Sequence, residues 1–222
     1  MITLDNISKI FYTSEVQTKA LDGVSLTIDQ GEFVSIMGPS GCGKSTMLNI
    51  MGLLDDPTSG SLTIDGVNSA GMSDKQLAAL RNRKLGFIFQ SFHLIPALNV
   101  LDNVMLPMLY RPREMSSARM RQRAEEMLAR VDLAHRMKHF PTQLSGGQCQ
   151  RVAIARALMG TPEVILADEP TGNLDSRMGA EIMEILEQLN SEGTTIVMVT
   201  HDRKIAEQTG RIVRMADGKI IV

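Results

Sequence analysis

The sequence predicts an α/β fold in which a parallel sheet is accompanied by antiparallel β structure and interrupted by a helical lobe. Two observations favour the parallel sheet. Short apolar runs recur along the chain, as at residues 164–167 and 195–199, and an amphipathic helical segment separates them. Strands that alternate with helices at this spacing are typical of parallel sheets with helices packed on their faces. The 222 residues suffice for one large domain or two close lobes.

The N-terminal residues predict antiparallel β structure. Apolar and polar side chains alternate over residues 24–28 with the period of a strand that buries one face. Asp22 and Gly23 form a dipeptide that is typical of turns, so we expect the chain to reverse there. Residues 33–37 are then a compact apolar run, and residues 44–54 carry helix formers up to an Asp-Asp-Pro break. This stretch therefore predicts strand, loop and helix in succession.

The remainder predicts further buried strands around a helical insertion. Residues 86–89 resemble a buried strand, whereas the segment that follows has helical periodicity. One face of a helix there would carry Met120, Ala124, Met127, Leu128 and Val131. Residues 212–222 predict a terminal hairpin. We expect a single domain, with residues 1–89 and 161–222 forming the α/β core and its β lobe and residues 90–160 forming a mainly helical lobe.

Composition argues against several classes of protein. The net charge of −2 provides no overall basic field, so we expect no nucleic-acid partner. The two cysteines, Cys42 and Cys149, lie far apart, and the N-terminus lacks a secretion signal, which indicates a cytosolic protein with reduced thiols. Because no apolar run approaches the ~20 residues of a membrane span, we expect membrane contact only through a partner protein. Sixteen scattered methionines indicate core filling rather than a metal site.

Residues 38–45 match the phosphate-binding pattern G-x-x-x-x-G-K-[ST], between a predicted strand and a predicted helix. In such a loop the backbone N–H groups surround a phosphate, the lysine (Lys44) reaches the β and γ oxygens and the serine (Ser45) ligates Mg²⁺. A plain glycine-rich helix cap would explain the glycines but not the Lys-Ser pair. The sequence thus predicts a P-loop NTPase core that binds ATP. The expected contacts here are Gly38, Ser40, Gly41, Cys42, Gly43, Lys44, Ser45 and Thr46.

The other half of such a site is an acidic residue at the end of an apolar strand, and Asp168 and Glu169 follow residues 164–167. We expect Asp168 to hold Mg²⁺, directly or through water. Glu169 is placed to polarise the attacking water, which would turn nucleotide binding into hydrolysis. An Asp-Glu pair after a strand is by itself usually a helix cap, but the phosphate loop favours the catalytic interpretation.

The run Leu144-Ser145-Gly146-Gly147-Gln148 distinguishes among P-loop proteins, because it resembles the signature of the ABC ATPases. It also opens a helix rich in Arg and Ala and so provides a second helix N-terminus suited to phosphate. The resemblance implies a head-to-tail dimer in which the signature of one subunit closes on the γ-phosphate held by the other. The nucleotide contacts implied are Ser145, Gly146, Gly147 and Gln148.

The same resemblance assigns the remaining motifs. Gln90 looks like the glutamine that senses Mg²⁺ and couples the lobes, and His201 looks like the switch histidine that contacts the γ-phosphate. The run Asn173-Leu174-Asp175 resembles the loop that crosses the dimer interface. Alone, Gln90 could simply end a strand and His201 could be a solvated histidine. The resemblance implies a catalytic set of Glu169, His201, Gln90 and Lys44, metal ligands Ser45, Gln90 and Asp168, and ATP with Mg²⁺ as cofactors.

The adenine contact has two candidates. The family places an aromatic ring shortly after the first strand, where this chain offers Phe11 and Tyr12. We favour Phe11 by its distance from the strand. For whichever of the two rings does not stack on adenine, simple burial in the sheet is the alternative.

The resemblance covers essentially the whole chain, and residues 35–41 and 170–176 are similar to the subgroup that serves macrolide export and lipoprotein release. It implies an ATPase at the cytoplasmic face of the inner membrane that energises a separate transmembrane permease to export or extract a drug, a peptide or a lipoprotein. Cys149 departs from the subgroup, which usually has a long polar residue there. The sequence does not identify the substrate.

Three other kinds of ATPase share some of these motifs. A chromosome-organising or DNA-repair ATPase would insert a long coiled coil, and a translation factor would carry two cassettes; neither feature occurs. An ATPase that regulates cell-wall remodelling at division remains an alternative.

The only basic run predicts a solvated helix face rather than a phospholipid or nucleic-acid contact, because acidic residues follow it and aromatic residues do not interrupt it. Its members are Arg111, Arg113, Arg119, Arg121 and Arg123.

Overall fold

The computed structural model describes residues 1–12, 17–111 and 115–221, so Arg113 lies outside the described residues. The strands within these ranges are β1 (Ile2–Tyr12), β2 (Gln17–Ile28), β3 (Phe33–Met37), β4 (Ser59–Ile64), β5 (Val67–Asn68), β6 (Leu85–Phe89), β7 (Val164–Asp168), β8 (Thr195–Thr200), β9 (Arg211–Ala216) and β10 (Lys219–Ile221). The α-helices are α1 (Lys44–Met51), α2 (Asp74–Lys84), α3 (Val100–Met105), α4 (Ser117–Arg130), α5 (Gly146–Leu158), α6 (Ser176–Ser191) and α7 (Arg203–Ala206).

A six-stranded sheet with the order β10-β9-β3-β8-β7-β6 forms the centre of the fold. Its strands β9, β3, β8, β7 and β6 are parallel, as predicted, and β10 pairs antiparallel with β9 in the expected terminal hairpin. Met37 pairs with Thr200, and Phe89 pairs with Asp168. Because parallel strands end at one edge of the sheet, this register brings the residues that follow each strand to the same place.

The second sheet confirms the predicted antiparallel β structure, with the order β2-β1-β4-β5. The reversal expected at Asp22 and Gly23 is wrong, because both residues lie inside β2. The Asp22 N–H donates to the carbonyl of Gly218 at 2.9 Å, and the Gly23 N–H donates to Ser8 Oγ at 3.0 Å. These partners accommodate an irregularity in the β1–β2 ladder, so the dipeptide makes a bulge rather than a turn.

The central sheet separates two apolar clusters. Along β7, Ile165 and Ala167 face the cluster formed with α3 to α6, whereas Val164 and Leu166 face the cluster formed with α1 and the antiparallel sheet. Alternation of this kind is expected for a strand that is covered on both faces. The predicted apolar face of α4 is also confirmed, since Ala124, Met127, Leu128 and Val131 are buried.

Helix α2 was not predicted. None of its residues is buried, so it lacks the apolar period by which a helix is recognised in sequence. Its capping box between Ser73 and Gln76 fixes the start instead. In the described part of residues 90–160 every regular element is helical, while the division of the chain into lobes stays a prediction. No helix in the described ranges is long and apolar enough to cross a membrane.

Candidate nucleotide-binding site

A cleft of about 590 Å³ lies at the carboxyl edge of the parallel strands, within the size range of sites for small ligands. Residues after β3, β6, β7 and β8 meet here, as the strand register requires. Apart from Ala20, every lining residue was predicted from sequence. The lining residues are Ala20, Ser40, Gly41, Gly43, Lys44, Ser45, Thr46, Gln90, Asp168, Glu169 and His201.

The phosphate loop is closely fitted to its surroundings. Gly43 has a φ of 101°, and a Cβ atom there would lie 2.3 Å from the carbonyl oxygen of Ala20. A Cβ atom at Gly38 would lie 2.2 Å from the carbonyl oxygen of Met215. Gly43 is also the N-cap of α1, and no described side chain caps this helix. The first N–H groups of α1 are therefore open to an anion in the cleft.

Lys44 is only 7% exposed, and its Nζ donates to the carbonyl oxygens of Gly38 and Pro39 at 2.8 Å each. The loop's own carbonyl groups thus hold the ammonium group beside the cleft. The thiol of Cys42 lies 3.9 Å from this Nζ and is buried inside the loop. Of the predicted loop contacts, Gly38 and Cys42 do not line the cleft.

The Ser45 hydroxyl and the Asp168 carboxylate, two oxygen groups that suit a hard cation, meet in the cleft. Ser45 Oγ donates to Asp168 Oδ1 at 3.3 Å. Burial and, to a smaller extent, the charge of Glu169 raise the pKa of the Asp168 carboxyl, whereas the hydrogen bond from Ser45 lowers it. A cation between these groups would offset the free-energy cost of keeping the buried carboxyl ionised. Hydroxyl and carboxylate oxygens suit Mg²⁺. No group of three His, Cys, Asp or Glu residues that could hold a metal occurs in the described ranges.

Glu169 and His201 form a pair beside these groups. His201 Nδ1 lies 2.8 Å from Glu169 Oε1, and the His201 side chain is 65% exposed. Glu169 has a φ of 46°, in the left-handed region that is unfavourable for a residue with a side chain. Its N–H is held by the carbonyl oxygen of Val199 at 2.9 Å. The strained backbone is consistent with a functional position, where such conformations concentrate.

A reciprocal amide pair holds Gln90. Asn173 Nδ2 donates to the carbonyl oxygen of Gln90 at 3.0 Å, and Gln90 Nε2 donates to Asn173 Oδ1 at 3.3 Å. Gly172 leaves the room for this arrangement, since a Cβ atom there would lie 2.8 Å from Gln90 Nε2 and 3.1 Å from Glu169 Oε2. This pair fixes the side chain of Gln90, which lines the cleft. Sequence reasoning gave Asn173 no role of its own.

The signature residues lie outside the cleft. Ser145 is the N-cap of α5: its Oγ accepts from the N–H of Gln148 at 3.3 Å, and its own N–H donates to Gln148 Oε1 at 3.0 Å. Asp175 caps α6 by accepting from the N–H of Met178 at 2.9 Å. A Cβ atom at Gly147 would lie 2.8 Å from Met178 Sδ. Within one chain, therefore, the signature helix is packed on α6 and does not contact the cleft.

Neither candidate adenine contact lines the cleft. Phe11 is 44% exposed and Tyr12 is 67% exposed, and both lie in β1, so the burial expected for the second ring is wrong. Lys9 Nζ lies 5.1 Å from the centre of the Phe11 ring. Phe11 pairs with Thr18, close to the cleft residue Ala20. The choice of Phe11 stays a prediction.

The chain is similar to known proteins over its whole length. Residues 21–172 match the family described as ABC transporter. An uncharacterized ABC transporter ATP-binding protein of Methanocaldococcus jannaschii is 50% identical over 221 residues, which are 100% of this chain and 98% of that protein. The macrolide export ATP-binding/permease protein MacB of Chlorobaculum tepidum is 50% identical over 100% of this chain, which spans only 34% of that longer protein.

A solved structure has the same fold. The ATP-binding cassette MJ0796, described as dimeric, in a post-hydrolysis state and bound to ADP and Pi, superposes with a TM-score of 0.92 at 48% identity. The match covers 100% of this chain and 97% of that one.

Proposed function

The chain belongs to the ABC transporter ATPases, which bind and hydrolyse ATP, and from that premise we propose that it energises a separate transmembrane permease at the cytoplasmic face of the inner membrane. The permease would export or extract a drug, a peptide or a lipoprotein. The likeness to MacB, which combines ATP-binding and permease parts in one protein, supports export.

The working unit in this proposal is a head-to-tail dimer around two ATP molecules. The observation that carries it is the separation of the signature from the cleft. Lys44 and Glu169 line the cleft, whereas Ser145 and Gly147 do not. A second copy would bring its signature to the γ-phosphate and complete the site. The dimeric state of the similar cassette MJ0796 supports this arrangement.

Within the site, each side chain has a role that follows from its position. The N–H groups of α1 and the Lys44 ammonium bind the β and γ phosphates. Glu169 accepts a proton from the attacking water, and His201, at 2.8 Å from its carboxylate, fixes the orientation of that carboxylate and can reach the γ-phosphate.

Ser45, Asp168 and Gln90 fit a site for Mg²⁺. All three side chains contain oxygen atoms, and burial, with the nearby charge of Glu169, raises the pKa of Asp168, so that a cation beside its carboxylate would favour the ionised form. Mg²⁺ supplies positive charge that offsets the triphosphate. The reciprocal pair with Asn173 engages the Gln90 amide nitrogen, which leaves the amide oxygen as the candidate ligand.

The transport proposal is tested by purification from native membranes. A tagged chain should be recovered in detergent with a transmembrane protein. Vesicles of the complex with the ATPase facing outward should take up an exported substrate, or release an extracted one, only with ATP. The Glu169→Gln variant should retain the complex and abolish this ATP-dependent movement. A complex that hydrolyses ATP and controls a cell-wall hydrolase without moving a substrate would contradict the proposal and favour the regulatory alternative.

A further inference from the structure

Gln150 occupies an unusual position on the signature helix α5. Its side chain is completely buried, and its Nε2 donates to the carbonyl oxygen of Pro170 at 2.7 Å. Pro170 directly follows Glu169. No other described residue donates to this carbonyl oxygen. The amide therefore ties α5 to the turn that carries the catalytic carboxylate.

The other half of the Gln150 amide is unsatisfied. Its Oε1 is buried and accepts no hydrogen bond from the described residues. An unsatisfied buried acceptor is destabilising, and an apolar side chain of the same size would avoid the cost. Packing alone therefore does not account for a carboxamide here, whereas the bond to Pro170 requires one.

The rest of α5 is held by other elements of the fold, including strand β6 and the neighbouring helices. Arg151 donates to the carbonyl oxygen of Val131 at 3.3 Å and to Glu181 on α6 at 2.7 Å. In the described part of the chain, the Gln150 bond is the only hydrogen bond from α5 to residues 169–175. Ser145 lies five residues earlier, about 7.5 Å along the helix axis. A displacement at Ser145 has a short and rigid route to Glu169.

We propose that Gln150 is a positioning residue that couples the signature to Glu169 of the same chain. When Ser145 contacts the nucleotide held by the partner, the Gln150 bond transmits the shift of α5 to the Pro170 turn and aligns Glu169 with its own nucleotide. The two sites of the dimer thereby become cooperative. This inference rests on the proposed dimer and on Glu169 as the base.

Two variants and one matched control test it. Gln150→Leu keeps the volume and removes the donor. Asn103→Leu is the control, because Asn103 is equally buried but its hydrogen bonds go to Ile95, Leu98 and Asn99, far along the chain from Glu169. We expect Gln150→Leu to lower kcat at least about tenfold, since small misplacements of catalytic groups have effects of this order. The Hill coefficient for ATP should fall towards one, with KM for ATP within about twofold of wild type.

Gln150→Glu adds a pH profile. A protonated carboxyl can donate to the carbonyl oxygen of Pro170, whereas the ionised form cannot. Burial raises the pKa of such a carboxyl, so the kcat of this variant relative to wild type should rise as the pH is lowered from 8 to 6. This readout also serves if Gln150→Leu fails to fold.

Three results would overturn the inference: unchanged kcat and Hill coefficient in Gln150→Leu, an equal loss of kcat in Asn103→Leu at a similar loss of thermal stability, or a flat relative pH profile in Gln150→Glu. Failure of the proposed function is distinct. It would appear as ATP hydrolysis that survives Glu169→Gln, or as a Glu169→Gln chain that binds ATP but stays monomeric.

Discussion

The phosphate loop and the signature both end in the N-terminus of a helix, but the two helix starts differ. Helix α1 begins at Gly43 without a side-chain cap, whereas α5 begins at Ser145 inside a reciprocal capping box with Gln148. The first is open to a ligand within one chain, and the second already has polar partners of its own. In the proposed dimer, one chain would bind nucleotide through the loop alone, and the signature would act only when a second chain presents it.

The largest expected effect separates binding from hydrolysis at the cleft. Glu169→Gln should keep nucleotide binding and lower turnover by roughly 10² or more, because the amide fills the same space but cannot act as a base. ATP should then trap a dimer. The measurement is ATPase activity together with size-exclusion chromatography in the presence of ATP. A monomer that holds nucleotide under these conditions would contradict closure of the dimer.

The adenine contact belongs with the phosphate loop rather than with the signature, so it should act in the monomer. Phe11→Ala is expected to weaken nucleotide binding by about 1 to 3 kcal/mol if the ring stacks on adenine, on the scale measured for base stacking on aromatic side chains. Tyr12→Ala is the matched control and should have a smaller effect. A fluorescent-nucleotide titration decides between them, and the reverse ranking would move the contact to Tyr12.

Substitution of the N-cap serine distinguishes the start of the signature helix α5 from an ordinary helix start. Ser145→Ala and Ser116→Ala each remove a serine N-cap, at α5 and α4 respectively, and each should destabilise the fold by about 1 kcal/mol. Only Ser145→Ala should also weaken the ATP-dependent dimer, while nucleotide binding by the monomer stays unchanged. Thermal unfolding and dimer formation are measured for both. If both variants dimerise equally well, the side chain of Ser145 does not contact the partner's nucleotide.

The smallest effect concerns Asp168 in the nucleotide-free protein. Its pKa is raised in the folded state, chiefly by burial, so its ionisation destabilises the fold as the pH rises through the folded-state pKa. Asp168→Asn should therefore be more stable than wild type at neutral pH, and the difference should shrink as the pH falls towards the unfolded-state pKa of about 3.9. Unfolding midpoints from pH 4 to 7 provide the check. A difference that grows on acidification would contradict the assignment.

Patterns that are local in sequence predicted the fold and most of the cleft. The loop that contains Lys44 has a fixed spacing, and the strand that ends at Asp168 is a continuous apolar run, so both are recognisable without a structure. The signature Ser145 was also recognisable as a helix start. Its separation from the cleft in one chain agrees with the expected sharing between subunits.

The features that were missed depend on contacts between distant residues. The chain forms a bulge at Asp22 and not the expected turn. Pairing with β1 and the hydrogen bond to Gly218 override the preference of an Asp-Gly dipeptide for turns. Gln150 stands on a helix as one polar residue among many, and only the fold places it against Pro170, twenty residues later. Asn173 is likewise paired with Gln90 across 83 residues.

The shared site is tested most directly by mixing two defective chains. Lys44→Ala removes the ammonium that the phosphate loop holds, and Ser145→Arg places bulk where the partner's γ-phosphate must sit. Each variant also carries Glu169→Gln, so that a closed dimer persists and the measurement is nucleotide trapped per dimer rather than turnover.

Each variant alone should trap no nucleotide. In a head-to-tail heterodimer one site inherits both defects, whereas the other combines the sound loop of the Ser145→Arg chain with the sound signature of the Lys44→Ala chain. We expect one trapped nucleotide per heterodimer on mixing. If the chains demonstrably associate and the mixture traps no more nucleotide than either variant alone, loop and signature act within one chain and the dimer account is wrong.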